Sequence, residues 1–187
     1  WNVAAALSGP LTQNLLGRLA VGQTSSDGYI RNDYLQTNDT NKRDEFSLRG
    51  KLRWLGRDNS YAELTAFYVD IDNGYDAFSL DNNRHTLSDE PGPDQQQSLS
   101  IAGKSYWQLN PGLALETIIG WSDTDTFYSY DEDWSNLDIC NGIAFCYPYA
   151  NTDQQERVRN NISLDTHLMS IDGAHFNWVA GIYAQHR

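Results

Sequence analysis

Alternation of apolar and polar side chains restricts the fold of this chain more than any other feature. In the segment from Glu45 to Trp54 every second residue is apolar or glycine, and four of the five residues between them are charged. A period of two is that of a β-strand, whose successive side chains point to opposite faces. The segment therefore predicts a strand with one face in an apolar environment and the other in water. This pattern alone fits a soluble β-sandwich as well as a membrane β-barrel.

The same alternation recurs and predicts eight strands, while helical periodicity is scarce. Weaker runs lie at residues 1–7, 61–71 and 177–187. Most of the predicted strands are near the roughly 9–11 residues with which a tilted strand crosses a bilayer. Nine apolar residues from four of them are expected to share one lipid-facing surface: Phe46, Leu48, Leu52, Leu99, Ile101, Leu115, Ile119, Ile162 and Leu164.

Short and long connections between the predicted strands alternate strictly. The short connections carry turn residues such as Asn110-Pro111-Gly112 and Asp172-Gly173. Long loops without secondary structure are uncommon in compact soluble domains, but outer-membrane barrels have short turns at one rim and long loops at the other. The pattern therefore predicts an all-β fold, the antiparallel up-and-down wall of a transmembrane β-barrel. The predicted connections are 8–14, 24–44, 56–60, 72–97, 110–112, 123–155 and 172–176.

Composition excludes other classes of protein. The longest apolar run, Val3 to Leu7, is far shorter than the roughly 20 residues of a membrane-spanning helix. The negative mean hydropathy of -0.61 suits a barrel whose strands are polar on one side. A net charge of -12 argues against nucleic-acid binding, which depends on basic side chains that neutralise phosphates.

Tryptophans lie near both ends of the predicted wall. Trp54, Trp107 and Trp178 are close to short turns, and Trp121 lies beside the longest loop. Interfacial aromatic girdles of membrane barrels have this distribution. The alternative is that these side chains belong to the core of a soluble sandwich.

Two cysteines, Cys140 and Cys146, lie in the longest predicted loop with five residues between them. Exposed cysteine pairs in surface proteins favour disulfides, so we expect a bond between them, with two free thiols as the alternative. A metal site there is disfavoured because no histidine lies close in sequence and there is no second cysteine pair.

No residue pattern indicates catalysis, a cofactor or a metal site. Acidic runs at Asp70–Asp76 and at Asp123 and Asp125, with Asp131–Asp133, could supply oxygen ligands for calcium, although solvated acidic loops explain them more simply. His167 lies two residues from Asp165, but no serine or cysteine nucleophile motif accompanies the pair. We therefore expect that the chain is not an enzyme.

A set of basic residues on the predicted polar faces is the candidate binding surface. These side chains could line a lumen and attract anionic cargo, or they could pair with acidic neighbours on adjacent strands. The set comprises Arg49, Lys51, Arg53, Arg157 and Arg159.

Several segments resemble the barrel of TonB-dependent receptors. One is Ser26-Asp27-Gly28-Tyr29-Ile30-Arg31-Asn32, followed by Arg43-Asp44-Glu45 at the start of a strand. Others run from Asp72 to Asn82 and from Ser88 to Gly92, and Val179-Ala180-Gly181-Ile182-Tyr183 resembles a further strand of that barrel. The resemblance covers nearly the whole chain but includes no diagnostic catalytic signature.

This resemblance implies a plugged barrel of about 22 strands in the outer membrane that imports a scarce nutrient, such as a ferric siderophore, with energy from TonB. Outer-membrane lipid, the TonB system acting through a plug, and a small-molecule cargo such as a metal chelate are the implied partners. Residues 1–187 are then an internal part of the barrel domain, without the plug or a TonB-contacting peptide. We expect this part to form an open sheet with two free edges.

Two other functions fit the same pattern. One is a soluble secreted β-sandwich that binds glycans through aromatic side chains. The other is a small closed eight-stranded outer-membrane barrel with an anchoring role.

Overall fold

The computed structural model describes residues 1–171 and 176–187. Within these ranges the chain forms β-strands joined by turns and loops and has no helix, so none could span a membrane. The strands are β1 (Asn2–Pro10), β2 (Leu15–Ser26), β3 (Arg31–Asn32), β4 (Arg43–Leu55), β5 (Tyr61–Tyr75), β6 (His85–Thr86), β7 (Gly92–Asn110), β8 (Leu113–Asp131), β9 (Thr152–Ser170) and β10 (Val179–His186).

Eight of the strands form one antiparallel sheet in the order β1-β2-β4-β5-β7-β8-β9-β10. Each strand pairs with the next long strand along the chain, which is the predicted up-and-down order. The two short strands β3 and β6 pair in parallel as a separate sheet within the loops. Strands β1 and β10 are not paired with each other, so the sheet is open as predicted. The all-β fold class is thereby confirmed.

Register along the sheet separates the side chains into two faces. Leu52 pairs with Leu64, which pairs with Gly103, which in turn pairs with Ile119, so these positions lie on one side. We call this side the apolar face and the opposite side, which carries Lys51, the polar face. All nine residues predicted to share an apolar surface lie on the apolar face.

The apolar face is not covered by a second layer. Leu19 is 54% exposed, Leu64 50% and Ile119 52%. Among the residues that the structure describes, Ile30 and Ala114 are the only buried apolar side chains. A β-sandwich would bury one face of each sheet against the other, so the sandwich alternative does not describe this fold.

Polar residues bound the apolar face at the end that carries the long loops. Phe46 on β4 pairs with Asp70, and Leu99 on β7 pairs with Asp123. On β4 the apolar stretch runs from Phe46 to Trp54, or about 26 Å at roughly 3.3 Å per residue. Beyond it the same face continues with mostly polar side chains, such as Gln97 paired with Asp125.

Strand lengths differ from those predicted. β7, β8 and β9 each contain 19 residues, and β8 extends ten residues past Trp121. The long connections shrink accordingly, from 24–44 to 27–42, from 72–97 to 76–91 and from 123–155 to 132–151. Part of each predicted loop is therefore paired strand that extends past the apolar face.

Three short connections, 11–14, 56–60 and 111–112, lie at the end opposite the long loops. The fourth, predicted at 172–176 with Asp172-Gly173, falls largely outside the described residues. We name the long loops in chain order: loop A (27–42), loop B (76–91) and loop C (132–151).

Candidate functional site

The polar face carries paired charges near the short turns. The Glu63 carboxylate on β5 lies 2.9 Å from Lys51 Nζ and 3.4 Å from Arg53 Nη1, both on the adjacent strand β4. Register explains the contact, because Glu63 and Arg53 are directly paired. Lys104 and Glu116 form a similar cross-strand pair at 2.8 Å between β7 and β8.

Aromatic rings accompany these charges. The Arg53 guanidinium lies over the Tyr61 ring, 4.2 Å from its centroid, and Tyr61 stacks on Tyr106 at 5.6 Å. A guanidinium over an aromatic face is attracted by the ring quadrupole. Arg53 is therefore fixed by both a carboxylate and an aromatic ring.

Among the described residues, the other three candidate cations lack a carboxylate partner. Arg49, Arg157 and Arg159 are exposed, and no carboxylate pairs with them in the described part of the chain. Arg49 lies on β4, whereas Arg157 and Arg159 lie on β9, four strands away in the sheet. At about 4.8 Å per strand this separation is about 19 Å. The five basic residues thus form two groups rather than one row, and those nearest the short turns are neutralised.

Loops A and B are joined above the sheet. β3 pairs with β6, and the Asp33 amide donates to the Thr86 carbonyl at 2.9 Å. The Asn32 side-chain amide donates to Asp76 Oδ2 at 2.9 Å and to the Ser88 carbonyl at 2.8 Å. Sequence patterns gave no sign of this contact, since β3 and β6 contain only two residues each.

Loop C is joined to loop B at its base. Asn136 Nδ2 donates to the Leu87 carbonyl at 2.8 Å, and the Asp89 amide donates to the Ser135 carbonyl at 3.0 Å. Among the described residues one hydrogen bond, from the Tyr34 hydroxyl to Asp138 Oδ2 at 3.0 Å, connects loop A to loop C.

Hydrogen-bonded ion pairs shift two pKa values in loop A. Asp33 lies 2.8 Å from both His85 Nδ1 and Arg31 Nε, and these bonds hold its pKa below the ordinary range. Lys42 donates to Asp72 at 2.7 Å, and this bond raises the pKa of the Lys42 ammonium. The Asp33 carboxylate and the Lys42 ammonium therefore keep their charges at neutral pH.

An aromatic cluster lies where the polar face meets the loops. Phe78 stacks on Trp134 with centroids 5.0 Å apart, and Tyr75 contacts Tyr128 at 5.4 Å. Tyr130 contacts Tyr75, Phe78 and Tyr128 and so joins the two pairs. The cluster offers ring faces and hydroxyl groups together. Tyr128 and Tyr130 share a face by the period-two rule, the one signal in the sequence that could have indicated it.

The outer part of loop C is an uncharged ring. Cys140 and Cys146 form a disulfide with Cα atoms 5.3 Å apart, within the expected range. Phe145 within the ring is 95% exposed. No free cysteine is present among the described residues.

The acidic and histidine side chains singled out in the sequence are not grouped around a metal position in the described residues. No group of three or more His, Cys, Asp or Glu side chains is placed to hold a metal ion there, the acidic run Asp131–Asp133 included. His167 Nε2 lies 3.1 Å from Asp165 Oδ1 on the polar face, a contact between neighbouring side chains of one strand.

Comparisons with known proteins bear on the fold. No protein-family model matches the chain, and no curated protein matches its sequence. The structure is similar to the ferric-catecholate import receptor Fiu from E. coli K12 in its open form, with a TM-score of 0.67 and 11% identity. The match covers 99% of this chain and 32% of that receptor, so the chain spans about a third of its length. By fold, therefore, the sheet is similar to part of the β-barrel wall of an import receptor.

Proposed function

We propose that this chain is part of the barrel domain of an outer-membrane nutrient receptor of the TonB-dependent type. The single observation that carries the proposal is the one-layer sheet with an exposed apolar face. In water that surface would be unfavourable, because large contiguous apolar patches are rare on soluble monomers. Lipid accounts for it, and the nine-residue stretch from Phe46 to Trp54 on β4 fits the roughly 9–11 residues with which a tilted strand crosses a bilayer.

Aromatic side chains at both limits of the apolar face support the same orientation. Trp54 and Trp107 contact each other at 6.0 Å near the short turns. Phe46 and Tyr68 lie 6.3 Å apart at the opposite limit. Rows of aromatic residues at the two lipid–water boundaries are typical of such barrels. The long loops are then extracellular and the short turns periplasmic.

The open sheet and the partial match to a longer receptor favour a section of a larger barrel of about 22 strands over a closed eight-stranded one. Residues 1–187 would then be one part of the barrel domain. Its plug, and the contact with TonB through that plug, would come from other parts of the protein.

The cargo that we propose is an anionic metal chelate, with a ferric catecholate as the first candidate. Arg49, Arg157 and Arg159 supply positive charge on the polar face that no carboxylate of the described residues neutralises. The cluster around Tyr75 and Trp134 supplies ring faces at the entrance from the loops. Together they suit a cargo with both negative charge and planar groups.

Iron uptake tests the proposal. The full-length protein should restore growth on a ferric catecholate in cells that lack their own receptors for it. Replacing Arg49 and Arg159 together by alanine should lower uptake about tenfold, the order expected from losing charge-assisted contacts. Arg57→Ala, in a short turn, is the matched control and should have no effect. Absence of uptake by a correctly inserted full-length protein would contradict the proposed function.

A further inference from the structure

A buried carboxylate lies at the junction of the long loops. Asp76, the first residue after β5, is 4% exposed, and Asn32 and Thr86 are fully buried beside it. Its Oδ2 atom accepts hydrogen bonds from Asn32 Nδ2 at 2.9 Å and Thr86 Oγ1 at 2.8 Å. No cation forms an ion pair with Asp76 among the described residues. Asp76 therefore serves as a hydrogen-bond acceptor for loop A and for β6.

The Asn32 side chain extends this junction in two directions. Its Nδ2 also donates to the Ser88 carbonyl, and its Oδ1 accepts from the Leu35 amide at 2.8 Å. The nitrogen and the oxygen of the Asn32 amide group thus both form hydrogen bonds, with partners in loops A and B. Asp76 is the described acceptor of the second Nδ2 hydrogen, and it is therefore one of the three groups that orient the Asn32 side chain.

Loop B passes from this junction directly to loop C. Residues 87–89 follow Thr86, and they carry both hydrogen bonds to the Ser135–Asn136 backbone and side chain. Asp89 also accepts from the Leu137 amide at 3.3 Å. A displacement of residues 86–89 would therefore break hydrogen bonds to loop A and to loop C.

We propose that Asp76 is a positioning residue that holds loops A, B and C together as one cap over the polar face. The three loops of this cap then open and close as a unit rather than one at a time. That this cap controls entry to the polar face rests on the proposed function. The joint opening of the three loops rests only on the hydrogen bonds described above.

Removal of the Asp76 carboxylate leaves two buried donors without an acceptor. Buried donors in this state favour local opening, since water can satisfy them only when the junction separates. Because loop B is bonded to both neighbours, we expect opening at Asp76 to expose amides in loops A and C as well.

Amide hydrogen exchange of the full-length protein in lipid nanodiscs tests the joint opening. The reporters are the Asp33 amide, which donates to Thr86 O, and the Leu137 amide, which donates to Asp89 Oδ2. Asp76→Ala should accelerate exchange at both about tenfold. Asp76→Asn should stay within about twofold of the unmodified protein, because both bonds use one oxygen atom that an amide carbonyl can replace.

Two further variants separate local coupling from general misfolding. Asp81→Ala, an exposed position in loop B, is the matched control and should leave both reporters unchanged. A disulfide between Arg31→Cys and His85→Cys, at paired positions of β3 and β6, should restore protection to Asp76→Ala when oxidised and lose it when reduced.

The proposal is overturned if exchange in Asp76→Ala rises only within loop B, or does not rise at all. It is also overturned if Asp76→Asn behaves like Asp76→Ala, because charge and not hydrogen bonding would then be the cause. The exchange measurement involves no cargo, so a failure to transport iron and a failure of the joint opening give different results.

Discussion

Among single residues, Glu63 has the clearest electrostatic role on the polar face. Its side chain is 13% exposed and faces two cations, Lys51 and Arg53. A carboxylate shared by two basic groups in partly buried surroundings offsets the repulsion between them. The two cations are therefore held for structural reasons, unlike Arg49 on the same strand.

Glu63→Gln should destabilise the sheet because it leaves Lys51 and Arg53 together without an opposing charge. We expect a loss of about 1–3 kcal/mol in the free energy of unfolding. Glu90→Gln, at an exposed position in loop B, should change it by less than about 0.5 kcal/mol. Urea unfolding in the presence of lipid, followed by tryptophan fluorescence, measures both. Equal stability of the two variants would show that the pairing contributes little.

Strand β4 shows that the two faces of one strand carry different kinds of side chain. Leu48 on the apolar face and Ser47 on the polar face are adjacent in sequence and lie at the same level of the sheet. In the proposed membrane orientation, the Leu48 side chain contacts lipid and the Ser47 side chain contacts water.

Leu48→Arg should then cost about 2–4 kcal/mol of folding stability in a bilayer, the penalty for a charged residue near the midplane. Ser47→Arg, the matched variant one residue away, should cost less than about 1 kcal/mol, since its side chain remains in a polar environment. Equilibrium folding of the full-length protein into lipid vesicles provides the measurement. Similar penalties at the two positions would contradict the assignment of the apolar face to lipid.

Several strands are longer than their hydrophobic patterns predict, because backbone pairing continues beyond the apolar stretch. The extended parts of β7 and β8 lack a continuous apolar face, since polar residues such as Gln97, Thr124 and Asp125 lie there on both faces. Period-two hydrophobicity is lost there although backbone pairing continues, for instance between Asp125 and Gln97. Sequence patterning therefore detects the part of a strand with an apolar face and misses the rest.

At the scale of the whole molecule, the two outer strands of the sheet are exposed. β1 pairs only with β2 and β10 only with β9, so the outer edge of each strand has no partner within the described residues. In a hydrocarbon environment each unsatisfied backbone group costs several kcal/mol. Such edges favour pairing with further strands.

The 187-residue chain prepared alone in detergent should therefore associate rather than close on itself. Cysteines introduced as Ala5→Cys and Ile182→Cys, on the apolar faces of the two edge strands, should not crosslink within one chain. Light scattering measures the mass, and gel mobility under non-reducing conditions reports the crosslink. A monomer with an efficient internal crosslink would demonstrate a closed eight-stranded barrel and exclude the open sheet.

Much of the fold follows from the sequence alone. The period-two pattern predicts that residues such as Leu48, Leu99 and Ile162 share one surface, as they do in the structure, and the alternation of short and long connections predicts that the long loops lie at one end. These features are local, since a strand's period of two and the turn residues between strands can be read over about ten residues.

Only the tertiary structure decided how the loops are held and which cations are neutralised. Asn32 and Asp76 are 44 residues apart in sequence, and Arg53 and Glu63 meet only because two strands adopt one particular register. Contacts of this kind depend on the arrangement of whole strands and loops in space. A short-range pattern of polarity carries no information about that arrangement, so the two-residue strands β3 and β6 and the junction at Asp76 could not be predicted from it.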